Sequence, residues 1–441
     1  MNLKTLRWAA AEPTRFLALL GERRADKTPA LAKALLRASR AIERRPSERF
    51  LRSAEIALID RDLIGALNFL RFAIASQPTV SAIYGIGARI AQSDFSKEAY
   101  EEAIDRTIEN GPLKAMLIAL LNSPQAYHPS RFWLYFMLFN AYQIEALGVE
   151  NFKRTANNNY FTWTGDIHVD EQAKALEAIV GAVRSTTPSE KPAEFQESKW
   201  RRYERFLLAL FAYAKSKDSL GVLDGLEEPM LGNPIYATID AKRVTQDLCH
   251  TSIELNTILR ETRVTPRAFT VYELGAGHGR IGFALLTMFP QARYVVIDIP
   301  PALHVSQWYL SSLFDRHRVF RFREFTSYSQ VAAEFEESRI AFLLPHQASM
   351  LPDKGADLFI NICSLQEMTR EHVALWFGQI DRLCRGHFYT KQYLHHANDI
   401  DRIKIDRGDY PVRPHWSPLL DRRCEAFPSL FEALYRIPSS G

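Results

Sequence analysis

The stretch FTVYELGAGHGRIG, Phe269 to Gly282, decides the fold. An apolar run of Phe269, Val271 and Tyr272 ends in Glu273, and glycines at 275, 277 and 279 then lead into a helical-looking segment, Arg280 to Met288. The pattern predicts a strand, a tight loop and a helix start. Glycines serve such a loop because the chain turns sharply and its backbone must approach a ligand without a Cβ in the way. The following helix offers free N–H groups and the positive end of its dipole to whatever sits above the loop. A nucleotide-like ligand is therefore expected.

Two cofactor types use such a turn. Gly277, Gly279 and Gly282 match GxGxxG, the dinucleotide fingerprint, whereas Glu273 followed by Gly275, Gly277 and Gly279 matches the acidic-x-GxGxG turn of S-adenosylmethionine (SAM) enzymes. Glu273 favours the second reading: a carboxylate beside a pyrophosphate is repelled, while beside a cationic amino group and a sulfonium it is attracted. Asp298 ends the next apolar run, YVVID, at the range expected of a carboxylate that binds ribose hydroxyls. Both cofactors share that feature, so Asp298 points to a nucleoside without choosing between them.

Working outward, 441 residues suffice for two or three domains. With 47% hydrophobic and 24% charged residues the composition is that of a globular protein, which excludes global disorder. A net charge of +4 is small for this length and demands no nucleic acid. Cys249, Cys363, Cys384 and Cys424 are scattered, forming neither a CxxC pair nor a disulfide framework. No signal-peptide core follows Lys4 and Arg7, and no uninterrupted apolar run reaches membrane-spanning length. A cytoplasmic protein without a transmembrane segment is expected. Its oligomeric state is not legible.

Residues up to about Arg52 read as basic amphipathic helices, with Leu17, Leu20, Leu31 and Leu35 at helical intervals. They could lie peripherally on an anionic membrane, although a charge-rich helix is more often a solvated face. From Arg49 to about Glu109 helices come in pairs, broken at Asp60 to Asp62, like one degenerate tetratricopeptide unit. FWLYFMLFNAY reads as a buried helix, and NNNYFTWTGD as a loop whose Tyr160, Phe161 and Trp163 stack on a sugar or anchor the loop to the core. Ser185 to Ser198 is a linker or exposed loop, WRRYERFLLALFAYAKS resumes a helix, and Thr245 caps another. Beyond the glycine turn strands and helices alternate, which predicts a doubly wound parallel sheet. FPSLFEALYRI can supply a last strand or a helix. Three regions follow: an all-α part over 1–125, a mostly helical lid or acceptor region over 126–260, and an α/β cofactor domain over 261–441.

In such a sheet the residues after each strand tip carry the chemistry. Gln347 or His346, after the third apolar strand, could bond an adenine edge. Ser364, Gln366 and Glu367 follow the fourth, and Lys391, His395 and His396 the fifth. ELGAGHGRIG, YVVIDIP, NICSLQEM and FYTKQY together resemble the bacterial sugar O-methyltransferase family, a branch of the class I SAM-dependent methyltransferases, over about Glu227 to His396. The resemblance implies a Rossmann-like class I fold, SAM contacts from Glu273, Gly275, Gly277, Gly279 and Asp298, and a role near the methyl group for the SLQEM residues. The acid often seen after the third strand of that class is absent, PHQ standing in its place. A sugar hydroxyl needs a base to accept its proton; Glu367, His346, His395 and His396 have the right chemistry, and Glu367 is expected to be the base with His395 and His396 in reserve. HHANDID offers His395, His396, Asp399 and Asp401 to a metal, but the spacing matches no standard site, and none is expected. The acceptor is a small molecule or glycan. The rival readings are an NAD(P)-dependent oxidoreductase and a non-catalytic partner-binding protein.

Overall fold

The computed structural model describes residues 28–76, 89–93, 95–154, 169–183, 189–192, 196–262, 268–314 and 318–438, with positions 14, 17, 18, 20 and 25 before them. Two compact units result, one of 1–122 with 129–148, the other of 123–128 with 149–441.

The elements described in the first unit are helices: Pro29–Ile42, Pro46–Ile59, Leu63–Ser76, Lys97–Thr107, Pro112–Leu121 and Arg131–Leu147. Three open on a proline, whose missing N–H would have had no intrahelical partner there. Ser96 and Ser130 cap two others through their side chains. The break at Asp60 to Asp62 falls where expected: Arg61 takes φ +57° and Asp62 Oδ1 accepts the Gly65 N–H at 2.8 Å. The aromatic helix Arg131–Leu147 packs on Leu63–Ser76, and its buried Tyr142 shares a 2.6 Å hydrogen bond with Thr107. It therefore groups with the front helices, and the boundaries at 125 and 260 are not those of the two units.

The second unit carries strands β1 Ala237–Ile239, β2 Lys242–Val244, β3 Thr270–Leu274, β4 Arg293–Ile297, β5 Val319–Phe320, β6 Ile340–Leu343, β7 Ala356–Ile362, β8 Cys384–Tyr393, β9 His395–Asn398, β10 Ile403–Asp406, β11 Ser417–Arg423 and β12 Leu430–Arg436. Eight of them form one sheet in the order β11-β12-β8-β7-β3-β4-β6-β5. From β5 to β8 all neighbours are parallel, whereas β12 runs antiparallel to both β8 and β11. The inner strands are apolar on both faces, Val295, Val296 and Ile297 being wholly buried, as a parallel sheet covered by helices requires. The ambiguous FPSLFEALYRI contains strand β12, over Leu430–Arg436. Helix Gln246–Thr262 begins where expected, Thr245 Oγ1 accepting the Leu248 N–H at 3.1 Å.

From β3 the chain crosses to β4 on one side and later returns to β7 on the other. The strand order thus reverses at β3 and β7, and a crevice opens beyond their carboxyl ends. This is an α/β Rossmann-like architecture, with the glycine turn at the crevice.

Candidate functional site

The turn after β3 divides the labour among its glycines. At Gly275, φ +69°, a Cβ would stand 2.3 Å from Ser364 Oγ, so the missing side chain lets the tips of β3 and β7 close on each other. Asn361 locks that closure: its amide nitrogen donates to Leu274 O at 2.8 Å and to Ser364 Oγ at 2.5 Å. Beside Ser364, Cys363 holds φ +52°, a conformation that side chains favour only when the surroundings impose it. Gly277, φ +60°, has nothing within 4 Å of where its Cβ would be, and forms the open floor of the turn. Gly282 packs instead on the Tyr294 ring, 2.6 Å from its missing Cβ, and so fits helix to sheet.

Asp298, at the tip of β4, accepts the Gly277 N–H at 2.9 Å and the Ile299 N–H at 2.8 Å. Each oxygen keeps lone pairs for further donors. Burial pushes its carboxyl up to about 7, the two backbone bonds opposing the rise. Glu367 sits in the short turn Leu365–Glu367 after β7, and its carboxylate has no hydrogen bond or ion pair among the described residues. Burial first, and the Asp298 charge second, push it up to about 8. Acids perturbed in this way cluster at catalytic sites.

Glu273 takes another position than the sequence suggests. It is 2% exposed and accepts a hydrogen bond from the Tyr294 hydroxyl, so it lies beneath the turn and cannot touch a ligand directly. Burial raises it to about 7 against the pull of Tyr294 and Arg280, while Glu254 and Asp298 add to the rise.

Two candidates are corrected. Gln347 is fully buried, its Oε1 accepting the Leu344 N–H at 2.9 Å and its Nε2 donating to Arg323 O at 2.8 Å. Its amide is committed to the backbone on both sides and does not read an adenine. His346, its neighbour, is half-buried with an unpartnered Nδ1. His395 is the second correction: its side chain is 83% exposed and pairs with Asp406 across the β9–β10 hairpin, which rules it out as a desolvated base. His396 points the other way, half-buried, with its ring 6.2 Å from that of Tyr393; burial lowers its pKa. Among the described residues no group of three His, Cys, Asp or Glu is placed to hold a metal. Tyr160, Phe161, Trp163 and their asparagines lie outside the described residues.

Sequence reasoning missed the polar network under the crevice. Glu254 accepts hydrogen bonds from Lys391 Nζ at 2.9 Å and from Arg280 at 2.5 Å; Glu254 and Lys391 are buried and the Arg280 side chain is 13% exposed. Burial alone would raise Glu254, yet the two cations outweigh it and hold it at about 2. The available signal was Gln246, His250 and Glu254, four residues apart on one face of a helix, where an apolar stripe would be usual.

No family model matches the sequence, and no curated protein does. Among solved structures, the PH0226 protein from Pyrococcus horikoshii OT3 is 14% identical at TM-score 0.31, the match covering 44% of this chain and 92% of that one. The 1,6-didemethyltoxoflavin-N1-methyltransferase of Burkholderia thailandensis, bound to 1,6-didemethyltoxoflavin and S-adenosylhomocysteine, is 15% identical at TM-score 0.31, covering 44% and 79%. A SAM dependent methyltransferase from Aquifex aeolicus is 10% identical at TM-score 0.26, covering 41% and 88%. At these values the likeness decides neither cofactor nor acceptor, which have to be argued from the residues of the crevice.

Proposed function

We propose that this chain is a SAM-dependent O-methyltransferase acting on a hydroxyl of a sugar or sugar-containing acceptor. One observation carries the reading: three acids, Glu273, Asp298 and Glu367, gather about the open floor at Gly277, and among the described residues no cation is ion-paired to Asp298 or Glu367. Such a crevice repels a pyrophosphate and attracts a sulfonium and an ammonium group. SAM, when bound, supplies a methyl carbon already activated for in-line displacement.

The protein's own part is alignment and proton transfer. Asp298 has lone pairs for ribose hydroxyls, Gly277 leaves room for the ligand above it, and Ser364 stands at the edge of the turn. Glu367 accepts the proton of the attacking hydroxyl, a group too weakly acidic to react readily without a base. Its raised proton affinity suits that work near neutral pH, where an ordinary carboxylate would be too weak a base.

Release of S-adenosylhomocysteine over a panel of sugars and nucleotide sugars tests the reading. Glu367→Gln keeps the shape and removes the basicity, so turnover should fall by about a hundredfold or more with cofactor affinity retained. Turnover within a few-fold of wild type would remove Glu367 from the base role.

A further inference from the structure

Two stretches distinctive in the sequence, NICSLQEM and FYTKQY, meet where β7 and β8 end, and their buried amides form a network of their own. Asn361 and Gln392 are 0% exposed and Gln366 2%, so water cannot satisfy them and their polar groups depend on one another. Gln392 Nε2 donates to Asn361 Oδ1 at 2.5 Å and to Thr390 Oγ1 at 2.9 Å. Asn361 also accepts the Leu365 N–H at 3.3 Å. The two glutamines are crossed. Gln392 Oε1 accepts the Gln366 N–H at 3.4 Å, and Gln366 Oε1 accepts the Tyr393 N–H at 2.7 Å, the shorter and stronger of the pair. The turn Leu365–Glu367 is thereby fastened to the end of β8 at two points.

Glu367 is the last residue of that turn, and none of these amides bonds its carboxylate. A donor on the carboxylate would stabilise its charge and lower its proton affinity. Holding the backbone instead fixes where Glu367 stands and leaves its basicity to burial and to Asp298. Through Asn361 the same network reaches Leu274 O, at the entry to the glycine turn, so the cofactor floor and the turn bearing the base are held as one body. In-line displacement depends on such alignment, since a misplacement of about 1 Å costs on the order of a hundredfold in rate.

We propose that Gln392 and Gln366 are positioning residues that keep Glu367 facing the methyl-transfer site, Gln392 acting only through its neighbours because it has no surface with which to touch a ligand. The proposal rests on the SAM reading with Glu367 as base, and adds the residues that place that base.

Calorimetry of SAM binding to the full chain, in buffers of different ionisation enthalpy, tests it by counting the protons released at about pH 7.5. A sulfonium favours the charged form of a nearby carboxyl, so binding expels the Glu367 proton. Of the groups around Glu367, burial keeps the Cys363 thiol and the Tyr410 phenol protonated there and keeps His396 neutral, while Lys391 stays charged in its pair with Glu254. Asp298 and the amino group of SAM titrate in every variant alike, so the difference between wild type and Glu367→Gln is the share of Glu367. Gln392→Met and Gln366→Met keep the bulk and delete the amides. Both should lose that share while S-adenosylhomocysteine affinity is retained. Merely structural amides would lower melting and leave the proton count of the folded molecules at the wild-type value, and that result overturns the proposal. Should one variant fail to fold, the other decides; should both fail, Thr390→Val, which removes one acceptor of Gln392, decides by a partial loss or none. S-adenosylhomocysteine bound, with equal counts in wild type and Glu367→Gln, removes Glu367 from the methyl site and overturns the proposal with it. Neither ligand bound sinks the cofactor reading itself.

Discussion

Asp298 and Glu367 are carboxyls at about 7 and 8, so Asp298 becomes mostly charged as pH passes about 7 and Glu367 only as it passes about 8. A cationic ligand is held by the charged forms alone. Affinity for SAM should therefore strengthen as pH rises from about 6 to 9 and weaken as it falls, whereas S-adenosylhomocysteine, which lacks the sulfonium, should change less. Calorimetric titration of both ligands across that range checks the difference; parallel pH curves would mean that the two acids do not face the sulfonium. At this scale Asp298 was legible as an acid that ends an apolar run, since the strand tip fixes where the side chain stands. Glu273 ends such a run too, but its contact with Tyr294 is set by the neighbouring strand, which its own segment does not reveal. Gln347 was not legible, because its amide is taken by Leu344 and Arg323 only once the loop after β6 has its conformation. His395 was misjudged because the β9–β10 hairpin turns alternate side chains apart, leaving it in solvent beside Asp406.

The glycine turn was legible as an element, from its apolar strand, its three glycines and the helix pattern behind them. The separate use of each glycine was not, since it depends on which neighbour lies opposite. Gly277→Ala and Gly282→Ala should accordingly fail in different ways. At Gly277 there is space, but a side chain would sit at φ +60° and place a methyl in the crevice. Melting should drop by the equivalent of about 1 kcal/mol, the cost of a left-handed alanine, with S-adenosylhomocysteine binding lost. At Gly282 the new Cβ meets Tyr294, so stability should fall by about 1–3 kcal/mol while the molecules that remain folded still bind. Melting curves and titrations on the two variants separate these outcomes; equal effects on both quantities would contradict the division. β12 escaped the sequence because its partners, β8 and β11, are chosen by long-range pairing and not by its own pattern.

Across the whole molecule, the helix Arg131–Leu147 groups with the front helices although it follows a segment, 123–128, that belongs to the second unit. A fragment of 149–441 should fold and bind S-adenosylhomocysteine. One beginning at 124 should aggregate, because Leu138, Phe139 and Tyr142, buried in the intact chain, lose the helices that cover them. Size-exclusion chromatography with ligand titration compares the two; a well-behaved 124–441 and an insoluble 149–441 would reverse the assignment of that helix. The central claim is that the acidic crevice at the glycine turn takes a SAM-type ligand, and isothermal titration of the full chain at pH 8 with S-adenosylhomocysteine, SAM and NAD tests it most directly. The account predicts heat of binding for the first two and none for NAD; NAD bound with S-adenosylhomocysteine and SAM ignored would contradict it.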